Sequence, residues 1–241
     1  MHPRAFLESA PANPMLPPTV PLVWRRSPRA RRMTLRIDAQ DGSVVVTMPE
    51  RISQRQGLAF VHQHMDWITS SLAALPEKRV LANGHEVMIE GSPVPILHEP
   101  DARRGTWLDS DGLHVSGDAA HTERRVKDFL HSLAKEHLSK AVALHSKRMG
   151  LVPSRVDLRE VRSRWGSCTR KGRIMLSWRL VMTPPEIRDY VVIHELAHLQ
   201  HFDHSAAFWG LVDRFCTNGR TGRLAAERWL SQNGIALLRA A

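Results

Sequence analysis

His194-Glu195-Leu196-Ala197-His198, continuing Leu199-Gln200-His201-Phe202-Asp203-His204, is the stretch whose reading organises the rest of the chain. Two histidines four apart on a helix lie about 40° apart around its axis and roughly 6 Å along it, so both imidazoles can converge on one ion. Glu195 is rotated about 100° from His194 and stands beside that ion rather than on it. HExxH thus offers two zinc ligands and one carboxylate base. For a third ligand, His201 shares the face but lies about 10.5 Å beyond His194 along the axis, while zinc–nitrogen bonds are only ~2 Å. If the helix ends near Phe202-Asp203, the chain can turn back and deliver His204. That residue stands ten after His194, the spacing of HExxHxxGxxH, with His201 in place of the turn glycine. His194, His198 and His204 are therefore the expected metal ligands, and Glu195 the expected catalytic base.

The helix that carries them has its own start signal in Thr183-Pro184-Pro185-Glu186. Thr183 is placed to be the N-cap, Pro184 sits at N1 where no N–H is needed, and Glu186 can complete a capping box. Ile187, Val191, Val192, Leu196 and Leu199 then make an apolar face at helical spacing. Beyond the histidines, Asp203 or Ser205 can cap a helix through Phe215 whose Phe208 and Trp209 support the His204 turn. Asp213 is a candidate acceptor for a ligand imidazole. One or two closing helices follow around Asn233-Gly234.

Upstream, Val156 to Val161 and Ile174 to Leu180 read as strands, with Arg164-Trp165-Gly166-Ser167-Cys168 between them. A strand beside such a helix can pair with an extended substrate, but RWGSC also reads as a structural turn. Thr122 to Met149 is one long helix, with Val126, Phe129, Leu130, Leu133, Leu138, Val142 and Leu144 spaced for burial and Gly150 to end it. From Lys78 to Val115 short strands are broken at Asn83-Gly84, Gly91-Ser92-Pro93 and Asp111-Gly112. Ser53 with Gln56 opens a helix to about Leu75, with Trp67 as a core anchor. Val20 to Trp24, Met33 to Asp38 and Val44 to Met48 are strands, the last two joined at Asp41-Gly42. These elements predict an α+β protein. Residues 1–19 form a flexible tail, 20–117 a β-rich part with one helix, and 118–241 the catalytic core.

Composition excludes several classes. A chain of 241 residues with 42% hydrophobic and 24% charged residues can bury a sizeable core. The only two cysteines, Cys168 and Cys216, lack a CxxC partner, so thiolate zinc sites are not expected and a reducing cytoplasm fits. No apolar run reaches the ~18 residues of a membrane span, and the first residues make a poor signal peptide, so a cytoplasmic protein without membrane contact is expected. The net charge is +10, with a cluster at Arg25, Arg26, Arg29, Arg31 and Arg32. Such a field suits nucleic acid, nucleotides or acidic proteins. A solvated basic hairpin is the plainer alternative, and no zinc-finger, RNP or helix-turn-helix signature accompanies the charge.

Arg164-Trp165-Gly166-Ser167-Cys168, then Tyr190 to His198, then His204-Ser205 and Phe208-Trp209 resemble the YgjP-like zinc metallopeptidase family, itself related to the SprT-like and WLM zincins. The resemblance covers most of residues 20–235. It implies a minimal zincin core with three histidine ligands, a Zn²⁺ cofactor and a protein or peptide substrate, without naming that substrate. Two other functions use the same residues. One is hydrolysis of a nucleotide phosphoanhydride, with arginines neutralising phosphate, although no P-loop is present. The other is a nucleic-acid-associated module with structural zinc, which calls for a fourth ligand. Tyr190, the only tyrosine, is a candidate oxyanion donor or a core phenol.

Overall fold

The computed structural model describes Glu8–Ser9 and residues 20–240. The tail expected over residues 1–19 otherwise lies outside the described residues. The chain is α+β and divides by its contacts into two units, Met1–Glu77 and Lys78–Ala241.

In the first unit, β1 (Glu8–Ser9), β2 (Leu22–Arg26), β3 (Thr34–Ile37) and β4 (Val44–Met48) form a sheet in the order β1-β2-β4-β3. β3 and β4 are the antiparallel hairpin expected at Asp41-Gly42, and β2 runs parallel to β4. Helix α1 (Gln54–Gln63) opens on the expected capping box. Gln56 N–H donates to Ser53 Oγ at 3.3 Å, and Ser53 N–H donates to Gln56 Oε1 at 2.9 Å. The single helix expected to Leu75 is two, because the His64 ring meets the Phe60 carbonyl at 2.8 Å. His64 N–H bonds the Val61 carbonyl instead, and α2 (Met65–Ala73) starts afresh. Trp67 is 47% exposed and is not the core anchor expected of it; Val61 and Ile68 fill that place with Trp24, Val44, Val46 and Met48.

In the second unit, β5 (Glu86–Ile89), β6 (Ser92–Glu99), β7 (Thr106–Leu108) and β8 (Leu113–Ser116) make a sheet in the order β5-β6-β8-β7. Helix α3 (Thr122–Met149) has the expected bounds and ends at Gly150, whose φ of 69° is the left-handed conformation that glycine adopts without cost. Leu144 is exposed rather than buried, since it lies about 200° around the helix from Val142. The expected boundary at 117/118 falls inside this unit. Val87, Ile96, Leu113 and Val115 share one core with Leu130, Leu180 and Leu196, and the β5–β6 turn donates from Glu90 N to the Val181 carbonyl at 2.8 Å. Alternation along a strand identifies its buried face but not the core that receives it.

A second sheet holds β9 (Arg155–Arg159), β10 (Gly166–Cys168) and β11 (Arg173–Ser177) in the order β10-β11-β9, leaving β10 at one edge. The strand expected to reach Leu180 stops at Ser177, and Trp178–Met182 is a buried 3-10 turn leading to α4 (Pro185–Ala197). Thr183 does not cap α4. Its hydroxyl donates to the Leu180 carbonyl at 2.8 Å, so Pro184 takes the N-cap and Pro185 the N1 position. Helix α5 (Ala206–Phe215) starts at Ser205, whose Oγ accepts from Phe208 N. Helix α6 (Gly219–Arg239) runs unbroken through Asn233-Gly234. No helix among the described residues is long and apolar enough to cross a membrane.

Candidate metal centre

Helix α4 carries His194 and Glu195 in its last turn and ends at Ala197, five residues earlier than expected. His198 is its C-cap, and the N–H groups of Gln200 and His201 both bond the Ala197 carbonyl, at 3.1 and 3.0 Å. This tight reversal returns the chain, and the Ser205 cap starts α5. His204 is left facing its predecessors, its ring centroid 5.2 Å from that of His194 and 4.9 Å from that of His198. The His204 and His194 Nε2 atoms are 3.3 Å apart. One nitrogen from each of His194, His198 and His204 lies within 4.8 Å of the others.

This donor set fits a zinc ion. Nitrogens bound tetrahedrally at ~2.0–2.1 Å stand roughly 3.3–3.4 Å apart, close to the separation of the His194 and His204 Nε2 atoms. His201 stays out of the cluster and contributes its main chain: its carbonyl is 3.0 Å from His198 Nδ1. That bond places the His198 proton on Nδ1 and leaves the Nε2 lone pair for an ion. Burial pushes the His194 pKa down to about 3, with repulsion from His198 and His204 adding to it; burial likewise lowers His198. Both rings are therefore held neutral, as metal ligands must be.

Glu195 is buried, its Oε2 has no hydrogen-bond partner among the described residues, and burial pushes its pKa up to about 8 against the opposing charge of Arg164. Its carboxylate lies against β10. A Cβ on Gly166 would stand 2.5 Å from Glu195 Oε1, so the glycine of RWGSC is what makes room for the base. Trp165 packs against α6 at Gly234. Cys168 is no nucleophile, its thiol pushed up to about 11 by burial and by Glu195.

Aromatic side chains enclose the imidazoles. Phe208 is fully buried with its centroid 5.0 Å from His194 and 4.6 Å from His198, and Trp209 stacks on His204 at 5.3 Å and 22°. Tyr190 is the core phenol of the two roles open to it, since its hydroxyl donates to Glu227 at 3.1 Å. Asp213 accepts from Arg223 rather than from a ligand imidazole. The sequence reading missed Gly166 as the seat of Glu195, the His201 carbonyl, and Arg223 with Glu227. Only the one-turn spacing of Arg223 and Glu227 could have signalled any of these.

A model of the YgjP-like, metallopeptidase domain matches residues 31–233. Among solved structures, the crystal structure of the metallopeptidase zymogen of Pyrococcus abyssi abylysin is 23% identical, covering 39% of this chain and 93% of that one, with a TM-score of 0.36. No curated protein matches the chain.

Proposed function

The chain belongs to the YgjP-like metallopeptidase family, and from that footing we propose that it is a zinc-dependent peptidase with His194, His198 and His204 as ligands and Glu195 as general base. One observation carries the reading: three imidazole nitrogens converge next along the chain from a buried carboxylate whose Oε2 has no partner among the described residues. Among the described residues no fourth histidine, cysteine or carboxylate joins the three, which favours an open site over a structural one. When bound, zinc supplies Lewis acidity that polarises a carbonyl and acidifies water.

The chain's own residues do the rest. Glu195 accepts the proton of the attacking water at Oε2 and returns it to the leaving amide nitrogen. Gly166 leaves room for that carboxylate against β10, one of the two edge strands of its sheet. An extended peptide paired along β10 would carry its scissile bond past Glu195, with main-chain hydrogen bonds that tolerate many sequences. A protein or peptide substrate follows from this, and a closed phosphate cradle does not.

The test is metal-dependent cleavage of an unfolded protein. Chelation should abolish turnover and added Zn²⁺ should restore it, while nucleoside triphosphates stay intact throughout. His204→Ala should lose most of the bound zinc and His201→Ala should keep it, because His201 serves the site through its main-chain N–H and carbonyl, which alanine retains. Zinc lost from His201→Ala and kept by His204→Ala would refute the ligand set. Cleavage of nucleotides alone would refute the substrate class.

A further inference from the structure

Resting on that reading, we infer that Arg223 is a positioning residue for the metal centre, holding the two aromatic rings that hold His204 and His194. Arg223 is only 9% exposed. Its Nε donates to Asp213 Oδ1 at 2.6 Å and its Nη1 to Glu227 Oε1 at 3.0 Å. Its Cζ lies 4.5 Å from the centre of the Trp209 ring, within cation–π range. Trp209 in turn stacks on His204. On the other side Glu227 Oε1 also accepts from Tyr190 Oη, and the Tyr190 ring meets His194 at 5.9 Å and 69°, edge to face.

The circuit is built from three pairs of residues one helical turn apart. Tyr190 and His194 share a face of α4, Trp209 and Asp213 a face of α5, and Arg223 and Glu227 a face of α6. Arg223 closes it, because a planar guanidinium can lie over an indole and still fork to two carboxylates. An ammonium cannot do both. The circuit matters because hydrogen bonding does not orient every ligand. His198 has the His201 carbonyl, but His194 Nδ1 is buried with no partner among the described residues, so packing rather than a hydrogen bond at Nδ1 sets the angle of its ring.

The experiment compares zinc affinity, by competition with a chromophoric chelator, and the visible spectrum of the Co²⁺-substituted protein. The proteins are wild type, Arg223→Lys, Trp209→Leu and, as a control, Val126→Ala in the buried face of α3. Arg223→Lys and Trp209→Leu should each bind zinc roughly 10–100-fold more weakly and shift the Co²⁺ bands, the usual consequence of losing support behind a metal ligand. Val126→Ala should lower the melting temperature and leave affinity and spectrum alone. If Arg223→Lys does not fold, Arg223→Gln, which keeps two N–H donors, takes its place with the same expectation. Wild-type affinity in the Arg223 variants overturns the inference, as does an equal loss in Val126→Ala or a loss confined to Trp209→Leu. A wild type that binds no zinc would sink the peptidase reading instead, before any variant is compared.

Discussion

At Gly166 a Cβ would lie 2.5 Å from Oε1 of Glu195 and 2.6 Å from its Cγ, so Gly166→Ala must displace the carboxylate, the strand or both. The imidazoles stand apart from that contact. The variant should therefore keep its zinc and lose turnover by about 10²-fold or more, the scale of a misplaced catalytic group. Metal analysis beside a peptidase assay checks it, and wild-type turnover would contradict the role given to Gly166. At this scale the sequence was readable where chemistry is local. HExxH places two imidazoles and a carboxylate by helical geometry alone. The partner of Gly166 was not readable, because Glu195 is far along the chain and reaches β10 only once the sheet and α4 pack.

Elements were legible where a side chain bonds its own neighbourhood. Ser53 with Gln56 and Ser205 with Phe208 N are such local caps, and the apolar spacing of α3 together with the stop at Gly150 gave its bounds. Thr183 misled because its hydroxyl donates back to the Leu180 carbonyl and accepts from no N–H of α4, and α4 ended early because the Ala197 carbonyl takes two turn N–H groups. The sheet holding β6, β7 and β8 yields a pH prediction. His114 on β8 is buried, stacks on Trp107, and bonds Glu99 Oε1 through Nδ1 and Asp109 Oδ1 at 2.9 Å through Nε2. Burial opposes its charge, but the two carboxylates outweigh burial and raise its pKa. A raised histidine pKa stabilises the fold fully below the unfolded value of ~6.5, and that contribution disappears as pH rises through the folded value. The melting-temperature gap between wild type and His114→Gln should thus be widest near about pH 5.5 and shrink toward about pH 9. A gap that widens with pH would contradict the assigned ion pairs.

Across the whole molecule the two units carry different physics. In the first, Arg25, Arg26, Arg29, Arg31 and Arg32 are all exposed, and Arg26 also donates to the Glu50 and Ile52 carbonyls at 2.8 and 3.0 Å. Changing Arg25, Arg29, Arg31 and Arg32 to alanine, and sparing Arg26 for its carbonyl bonds, should leave zinc content unchanged. If that face carries nucleic acid, wild-type binding should weaken steeply with salt and the variant should lose it. Equal binding at low salt would leave these residues as solvated surface. In the second unit, charge and apolar count gave the class of protein but not its boundary. Strands 86–116 join the core of α3 and α4 through contacts far apart in sequence. The central claim rests on Glu195, which lies on the ligand helix but is not needed to hold the ion. Its most direct test is a matched comparison of wild type and Glu195→Gln for zinc content, melting temperature and cleavage of an unfolded protein. The variant should fold, keep its zinc and lose about 10²–10⁴-fold in turnover, because an amide cannot accept the proton of water. Turnover equal to wild type with zinc in place would contradict the account.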